Sequence, residues 1–411
     1  MTKIYRYREK ITKEYGNLMI SRMHKIKHRK ALSLSASVSI SSHSSVSTSL
    51  SSLSTSSSSS ISSLQYKQSI ILNPCPKLPR YHELVGKTPI IDLSHLVKTD
   101  VEGVQVLAKC EFLNPTFSIK DRMARNIIDK AERERRLKKG MTIVAASSGN
   151  TGAAIAMLAS CRGYKCIITT SPKCSQEKMD TIRAYGAELI VSPSNAKEGD
   201  SNHYMEIARL MCINNPDKFF DVDQYETLDN SNAYYQSLGP EIWEDTNRSI
   251  THFVAAGSTG GTISGTSKYL KEKNPEIRSI LADPIGSIFT EYFQKGKVEN
   301  PPGNYLVEGV GKGTIPGAMD FALIDEVVQV SDKDTFDMCF KLCKEGICAG
   351  GSSGLNVFAA IRYASTMKTP CTIVTVMPDL GVKYLSKVYS SQWLKQNNLE
   401  SCILCSNDND E

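Results

Sequence analysis

The stretch "MTIVAASSGNTGAAIAMLASCRGYKCIITT", Met141–Thr170, decides the fold. An apolar run leads into the polar, glycine-rich loop "SSGNTG", the helical stretch "AAIAMLASCRG" follows, and "CIITT" returns as a second apolar run. Strand, loop, helix and strand therefore follow one another within thirty residues. The plan recurs at "HFVAAGSTGGTISGTSKYLKEKNP", and "VQVLAKCEF", "ELIVS", "IRSILAD", "DEVVQVS" and "CTIVTVMPD" read as further strands. "SQEKMDTIRAYGA" and "KDTFDMCFKLCKEG" read as further helices. Short buried strands alternating with helices imply an α/β protein whose mostly parallel sheets are covered on both faces. Ligands then bind beyond the carboxyl ends of the strands. Three polar glycine-rich loops fall there: "SSGNTG", "GSTGGT" and "GGSSG".

Outside this pattern the composition changes. Residues 1–72 are basic and then serine-rich, and no acidic residue occurs between Glu14 and Glu83. We read this segment as a disordered leader or transit peptide, with mitochondrial or other organellar targeting expected and a cytoplasmic tail as the alternative. Met19 and Met23 are alternative starts. Residues 73–396 read as one catalytic domain, with a smaller subdomain over about 112–225, and 397–411 as a polar tail. Net charge is +6, much of it in the first thirty residues, so nucleic acid is not an expected partner. No window approaches the apolar length of a membrane span. The twelve cysteines lack paired metal spacing and read as reduced intracellular thiols; no metal is expected, at Cys75 and His82 or elsewhere, and no role for Cys402–Cys405 in "SCILCS".

In "NPTFSIKDRMARNIIDKAE", Asn114–Glu132, Ile119, Met123, Ile127 and Ile128 recur at helical spacing and Ser118 is placed to cap. Lys120 then sits at the positive end of a helix, which lowers an amine's pKa and leaves it nucleophilic. "GSTGGT", Gly257–Thr262, follows a strand and opens a helix, so its backbone N–H groups cradle a phosphate; it is neither a P-loop nor a dinucleotide fingerprint. "SSGNTG", Ser147–Gly152, offers the same physics to a small carboxylate, although such residues also serve simply as caps. "GGSSG", Gly350–Gly354, contains G-x-S-x-G, but a serine hydrolase of that kind needs a later histidine, and none follows His252. Ser352 is better used as a hydrogen-bond partner. A lysine, a phosphate cradle, a carboxylate loop and a serine form a coherent set for pyridoxal 5′-phosphate. A serine beside the pyridine nitrogen leaves the ring neutral and a poorer electron sink, which favours β-elimination and replacement over transamination.

With these motifs in this order, residues 81–396 resemble the cysteine synthase and cystathionine β-synthase family of pyridoxal-phosphate enzymes. The resemblance implies the tryptophan-synthase-β-like fold: two open, mostly parallel α/β subdomains with the cofactor in the cleft between them. It implies that Lys120 in "SIKDR" is the Schiff-base lysine and general base, and that Asn150 contacts the cofactor's 3′-hydroxyl. Ser258, Thr259, Gly260, Gly261 and Thr262 would hold the phosphate, and Ser352 the ring nitrogen. Ser147, Ser148 and Thr151 would grip the substrate carboxylate, with Gln224 in "DQY" as a second contact. "SQEKMDTIRAYGAELI", "ADPIGSI" and "VMPDLGVKYLS" are similar to the cystathionine β-synthase branch, "GPEIW" to cysteine synthases. Two departures stand out: "GST" in the phosphate loop, where the family usually reads "GT", and Lys312 in "VEGVGKGTIP", where the branches carry a tyrosine or a small residue. Lys312 is a candidate contact for an anionic co-substrate or leaving group, with an ordinary solvated lysine as the alternative.

The expected reaction is β-replacement on a serine-derived amino acid by a sulfur nucleophile. The first reading makes L-cysteine from O-acetylserine and sulfide; the second makes cystathionine from L-serine and homocysteine; a third uses O-phosphoserine. A non-catalytic sensor or binding protein on the same fold is the alternative from another class. The resemblance also implies a homodimer.

Overall fold

The computed structural model describes residues 78–147, 149–197 and 199–404. The leader, Cys75, Ser148 and Cys405 lie outside the described residues.

In chain order the principal elements are β1 (Ile90–Asp92), β2 (Val104–Lys109), α1 (Lys120–Arg133), β3 (Thr142–Ala146), α2 (Asn150–Arg162), β4 (Lys165–Thr170), α3 (Gln176–Ala184), β5 (Glu188–Val191), α4 (Tyr204–Asn214), β6 (Phe219–Asp221), α5 (Leu228–Gln236) and α6 (Leu238–Asp245). Then come β7 (His252–Ala256), α7 (Gly261–Lys273), β8 (Arg278–Pro284), α8 (Phe289–Lys295), β9 (Glu326–Val330), α9 (Asp332–Lys344), α10 (Gly351–Ala364) and β10 (Cys371–Val376). One sheet runs β5-β4-β3-β6, all parallel; the other runs β1-β2-β10-β7-β8-β9, parallel except for β1 against β2. The α/β class with mostly parallel sheets is thus observed. The expected subdomain at 112–225 contains every strand of the smaller sheet.

Burial explains the patterning. Every residue of β10 is buried, so "CTIVTV" shows an apolar run instead of alternation. Helix α2 is buried from Thr151 to Ala159, which is why it is apolar all round. On α1, Met123, Ile127 and Ile128 turn inward, each contributing roughly 1.5–3 kcal/mol by leaving water. The sequence pattern does not disclose β1, β6, α4, α5, α6, α8 or α10. The first two have only three residues each, too short for a period to show, and "LDNSNAYYQ" of α5 is polar enough to read as loop.

Two devices fix the start of α1. The Ser118 hydroxyl accepts from the Lys120 N–H at 3.3 Å, and the Ile119 N–H donates to Pro378 O at 2.8 Å, tying the helix to the chain leaving β10. Beneath lies a buried charge network. Arg122 donates to Glu111 and Glu241 at 2.7 Å, while Lys109 donates to Glu241, Asp245 and Thr88 O at 3.0, 2.8 and 2.6 Å. It joins β2, α1 and α6, so Lys120 stands on a braced platform.

Candidate active site

The loops after β3 and β7, the start of α1, the N-terminus of α10 and the chain after β10 line a cleft. Lys120, Ser147, Asn150, Thr151, Gln224, Ser258, Thr259, Gly260, Thr262 and Ser352 all line it. Residues up to 232 positions apart in sequence are thereby brought together at strand carboxyl ends, where parallel sheets leave room.

Lys120 begins α1. Removal from water pushes its amine below the ordinary lysine value, opposed by the carboxylates of Asp379 and Glu111. Desolvation is therefore the principal cause, beyond the helix-end position that the sequence suggested.

The loop after β7 is a cradle that side chains would fill. Gly260 has φ +83°, and a Cβ there would overlap Met319; a Cβ on Gly261 would overlap the Asn230 amide. Asn230 holds the loop from behind, donating to Thr259 Oγ1 at 2.9 Å and to Gln224 O at 2.7 Å. The Thr262 hydroxyl is hydrogen-bonded to Tyr234, whose own hydroxyl reaches Ile119 O at 3.5 Å, so the cradle is coupled to the base of Lys120.

At the N-terminus of α2 the oxygen of Ser147 accepts from the Gly149 and Gly152 N–H groups at 3.1 and 2.8 Å, so it works as the helix cap. Thr151 donates to Gln224 Oε1 at 2.7 Å, and Gln224 donates to Ala146 O at 2.7 Å. Two candidate carboxylate contacts thus form one pair. Ser352 is the second residue of α10, 6% exposed, in the cleft wall. Lys312 is not among the described residues lining the cleft. Its amine lies 4.0 Å over the Tyr225 ring and 3.7 Å from Met205 Sδ, behind a ring that does line it.

Several charged residues of the site were missed. Asn150 donates to Asp379 Oδ2 at 2.6 Å and accepts from Lys383 at 2.7 Å, so both ends of its amide are fixed. Tyr384 donates to the same Asp379 oxygen at 2.6 Å. Burial lowers the Lys383 amine to about 8, against the pull of Asp379. Lys178 on α3 forms a 2.7 Å ion pair with Glu308 and lies 4.1 Å over the Tyr384 ring, joining the two sheet layers across the cleft. The motifs "SQEKM" and "VMPDLGVKY" were visible as similarity alone; their charges meet only in three dimensions.

This donor set fits pyridoxal phosphate: an amine whose pKa desolvation lowers, a glycine cradle of backbone N–H groups at a helix start, and a fixed amide between them.

The comparisons agree. A family model described as "Pyridoxal-phosphate dependent enzyme" matches residues 81–379. The chain is 37% identical over 319 residues to a cystathionine beta-synthase of Apis mellifera, covering 77% of this chain and 62% of that protein. It is also 37% identical over 328 residues to a cysteine synthase of Dictyostelium discoideum, covering 77% of this chain and 86% of that protein. The chain thus spans less than two thirds of the first relative's length. Among solved structures, an O-acetylserine dependent cystathionine beta-synthase from Helicobacter pylori superposes with TM-score 0.69 at 32% identity, covering 76% of this chain and 99% of that one. An O-acetyl serine sulfhydrylase from Entamoeba histolytica gives 0.70 at 29% identity, covering 81% and 98%. Matched by its family model over most of its length, and carrying a cleft built for the cofactor, the chain belongs to the pyridoxal-phosphate dependent enzyme family and is such an enzyme.

Proposed function

We propose that the enzyme performs β-replacement on O-acetylserine with sulfide as nucleophile, giving L-cysteine and acetate. When bound, pyridoxal phosphate supplies an aldehyde that captures an amine and a conjugated ring that takes up the electron pair freed at the α-carbon. Lys120 would hold the cofactor, then act as the base that takes the α-proton and later returns it. The N–H groups of 257–262 would bind the phosphate, Ser352 the ring nitrogen, and Asn150, clamped by Asp379 and Lys383, the 3′ oxygen. The donors opening α2, with the Thr151–Gln224 pair, would orient the substrate carboxylate and so align the α-proton with Lys120.

The choice of an activated serine rests on one observation. Two cleft-lining groups that could protonate a departing hydroxide are committed elsewhere: Tyr384 donates its proton to Asp379, and Lys178 is paired with Glu308. Acetate leaves without such help. A second reading, O-acetylserine with homocysteine giving cystathionine, is supported by the likeness to the Helicobacter pylori protein, described as an O-acetylserine dependent cystathionine beta-synthase. The test supplies O-acetylserine, L-serine and O-phosphoserine separately to the holoenzyme, each with sulfide or homocysteine, and quantifies cysteine and cystathionine. Cysteine formed fastest from O-acetylserine is expected. Faster turnover of L-serine would overturn the activated-serine reading, and cystathionine as the faster product would select the second.

A further inference from the structure

Helix α9 ends in a sharp reversal. Gly346 takes φ +80°, its N–H donates to Cys343 O at 3.0 Å, and the Ile347 N–H donates back to Leu342 O at 2.8 Å. This turn folds Cys348 back along the last turn of the helix, beside Cys343. The two thiols share a hydrogen bond, and both contact the Tyr389 hydroxyl, with Cys343 Sγ at 3.7 Å. Both are half-buried and so within reach of a small oxidant, whereas the neighbouring Cys339 is fully enclosed.

Cys348 also adjoins the chain leaving β10, outside the lining of the cleft. Residues 348–350 run antiparallel to 379–381: Gly381 N–H donates to Cys348 O and Gly350 N–H to Asp379 O, each at 2.9 Å, with Ala349 bridged to Leu380. Tyr389 donates to Ala349 O at 2.5 Å. Gly381 lacks a Cβ where one would press on Cys348 Sγ. Any shift of Cys348 is therefore passed to Asp379, the clamp on Asn150, and to Gly350, which leads into α10 and Ser352.

We propose that Cys343 and Cys348 form a reversible disulfide site whose oxidation distorts the Asp379 and Ser352 side of the cleft. In the reaction two thiols and one hydrogen peroxide give a disulfide and two waters. Each sulfur loses a proton and an electron, and the peroxide O–O bond takes up both electrons. A dithiol restores the pair by exchange. Bonded sulfurs sit at about 2.0 Å, far closer than hydrogen-bonded thiols, so the contraction falls on the 348–350 segment, Cys343 being held in its helix. Burial and the neighbouring thiol raise the Cys348 pKa, so thiolate is scarce at neutral pH and the reaction accelerates as pH rises.

The test treats holoenzyme with hydrogen peroxide and digests it with trypsin without reduction. Cleavage after Lys341, Lys344 and Arg362 separates "LCK", which holds Cys343, from "EGICAGGSSGLNVFAAIR", which holds Cys348. The expected result is a linked pair of these peptides, accompanied by a changed visible absorbance of the bound cofactor and a several-fold loss of turnover. Dithiothreitol should reverse all three. Cys343→Ser and Cys348→Ser should each keep the untreated activity and abolish the link and the response. Absence of the linked pair, oxidation confined to the exposed Cys161, or a link without any change in absorbance would overturn the proposal. Peptide mapping and absorbance do not depend on which substrate the enzyme uses.

Discussion

Asp379 accepts a 2.6 Å hydrogen bond from the side-chain amide of Asn150 across 229 positions of chain, making the carboxylate after β10 the fixed point for the residue opening α2. The same carboxylate raises the pKa of both Lys120 and Lys383, working against the burial that lowers them. Geometry and electrostatics are thus set by one group. Its second oxygen is buried without a hydrogen-bond partner, so its charge is little screened.

Asp379→Asn removes that charge, and the sign follows directly. An anion favours the ammonium form, so its loss lowers the pKa of Lys120 and makes the free amine available at lower pH. The rate at which apoenzyme takes up pyridoxal phosphate should keep its rising limb, displaced to lower pH. The new amide oxygen can still accept from Asn150 and Tyr384, but its NH₂ is then buried where Oδ1 has no partner, so turnover should fall even where uptake is fast. A limb displaced to higher pH would contradict the assignment.

The cradle makes a different demand. Gly260→Ala places a Cβ both at positive φ and inside Met319, and Gly261→Ala places one inside Asn230. Each should destabilise the apoenzyme by on the order of 1–3 kcal/mol and weaken cofactor affinity at least about tenfold. Gly163 also has positive φ, but nothing lies within 4 Å of its Cβ position. Gly163→Ala should therefore cost only about 1–2 kcal/mol and leave cofactor affinity unchanged. Thermal melts with and without cofactor separate the two cases.

What the sequence disclosed and what it hid have the same cause. The units β3–α2–β4 and β7–α7–β8 are legible because period, glycine loop and helix start are all local. Lys120 and the "GSTGGT" cradle are legible for that reason. Asp379, Lys383, Tyr384, Lys178 and Glu308 are not, because each gains its role from a partner far away in sequence. Helix α10 escaped notice because its first turn is the "GGSSG" motif, whose glycines and serines are poor helix formers; burial from Gly351 to Val357 holds it instead. Cys343 and Cys348 likewise look like two of twelve scattered thiols until the turn at Gly346 sets them side by side.

Lys312 offers a test of specificity. Lys312→Ala removes an amine that lies 4.0 Å over the Tyr225 ring and does not line the cleft, and among its interactions loses a cation–π contact worth about 0.5–2 kcal/mol. The expected change in kcat/KM for O-acetylserine is under about threefold, since a loss of 0.6 kcal/mol or less reaches the site. O-phosphoserine should be affected no more than O-acetylserine. A selective loss with O-phosphoserine would instead make Lys312 the anion contact that its place in the sequence suggests.

The charge network beneath α1 fixes how stability depends on pH, through two carboxyls of opposite sign. Burial works against the Glu241 carboxylate, but the Arg122 hydrogen bonds and charge overcome it and hold the group at about 2, below its ordinary 4.5. Its stabilising contribution, about 3 kcal/mol, is complete above pH 4.5 and is lost as pH falls toward 2. Asp121 is the reverse. Burial raises it to about 6 from 3.8, although the Thr116 N–H and hydroxyl both donate to it. The folded protein then binds the extra proton, so stability falls as pH rises from 3.8 through 6. Urea unfolding from pH 3 to 8 should show a maximum between about 4 and 5 from these two groups. Asp121→Asn should flatten the decline between pH 4 and 6 while leaving the acid side intact. Glu241→Gln should instead cost about 3–5 kcal/mol at neutral pH, because Lys109 and Arg122 lose a counter-charge in the interior. Since both forms of Glu241 are protonated at the acid extreme, that deficit should shrink as pH approaches 2; a deficit constant with pH would mean that packing, and not charge, is what Glu241 supplies.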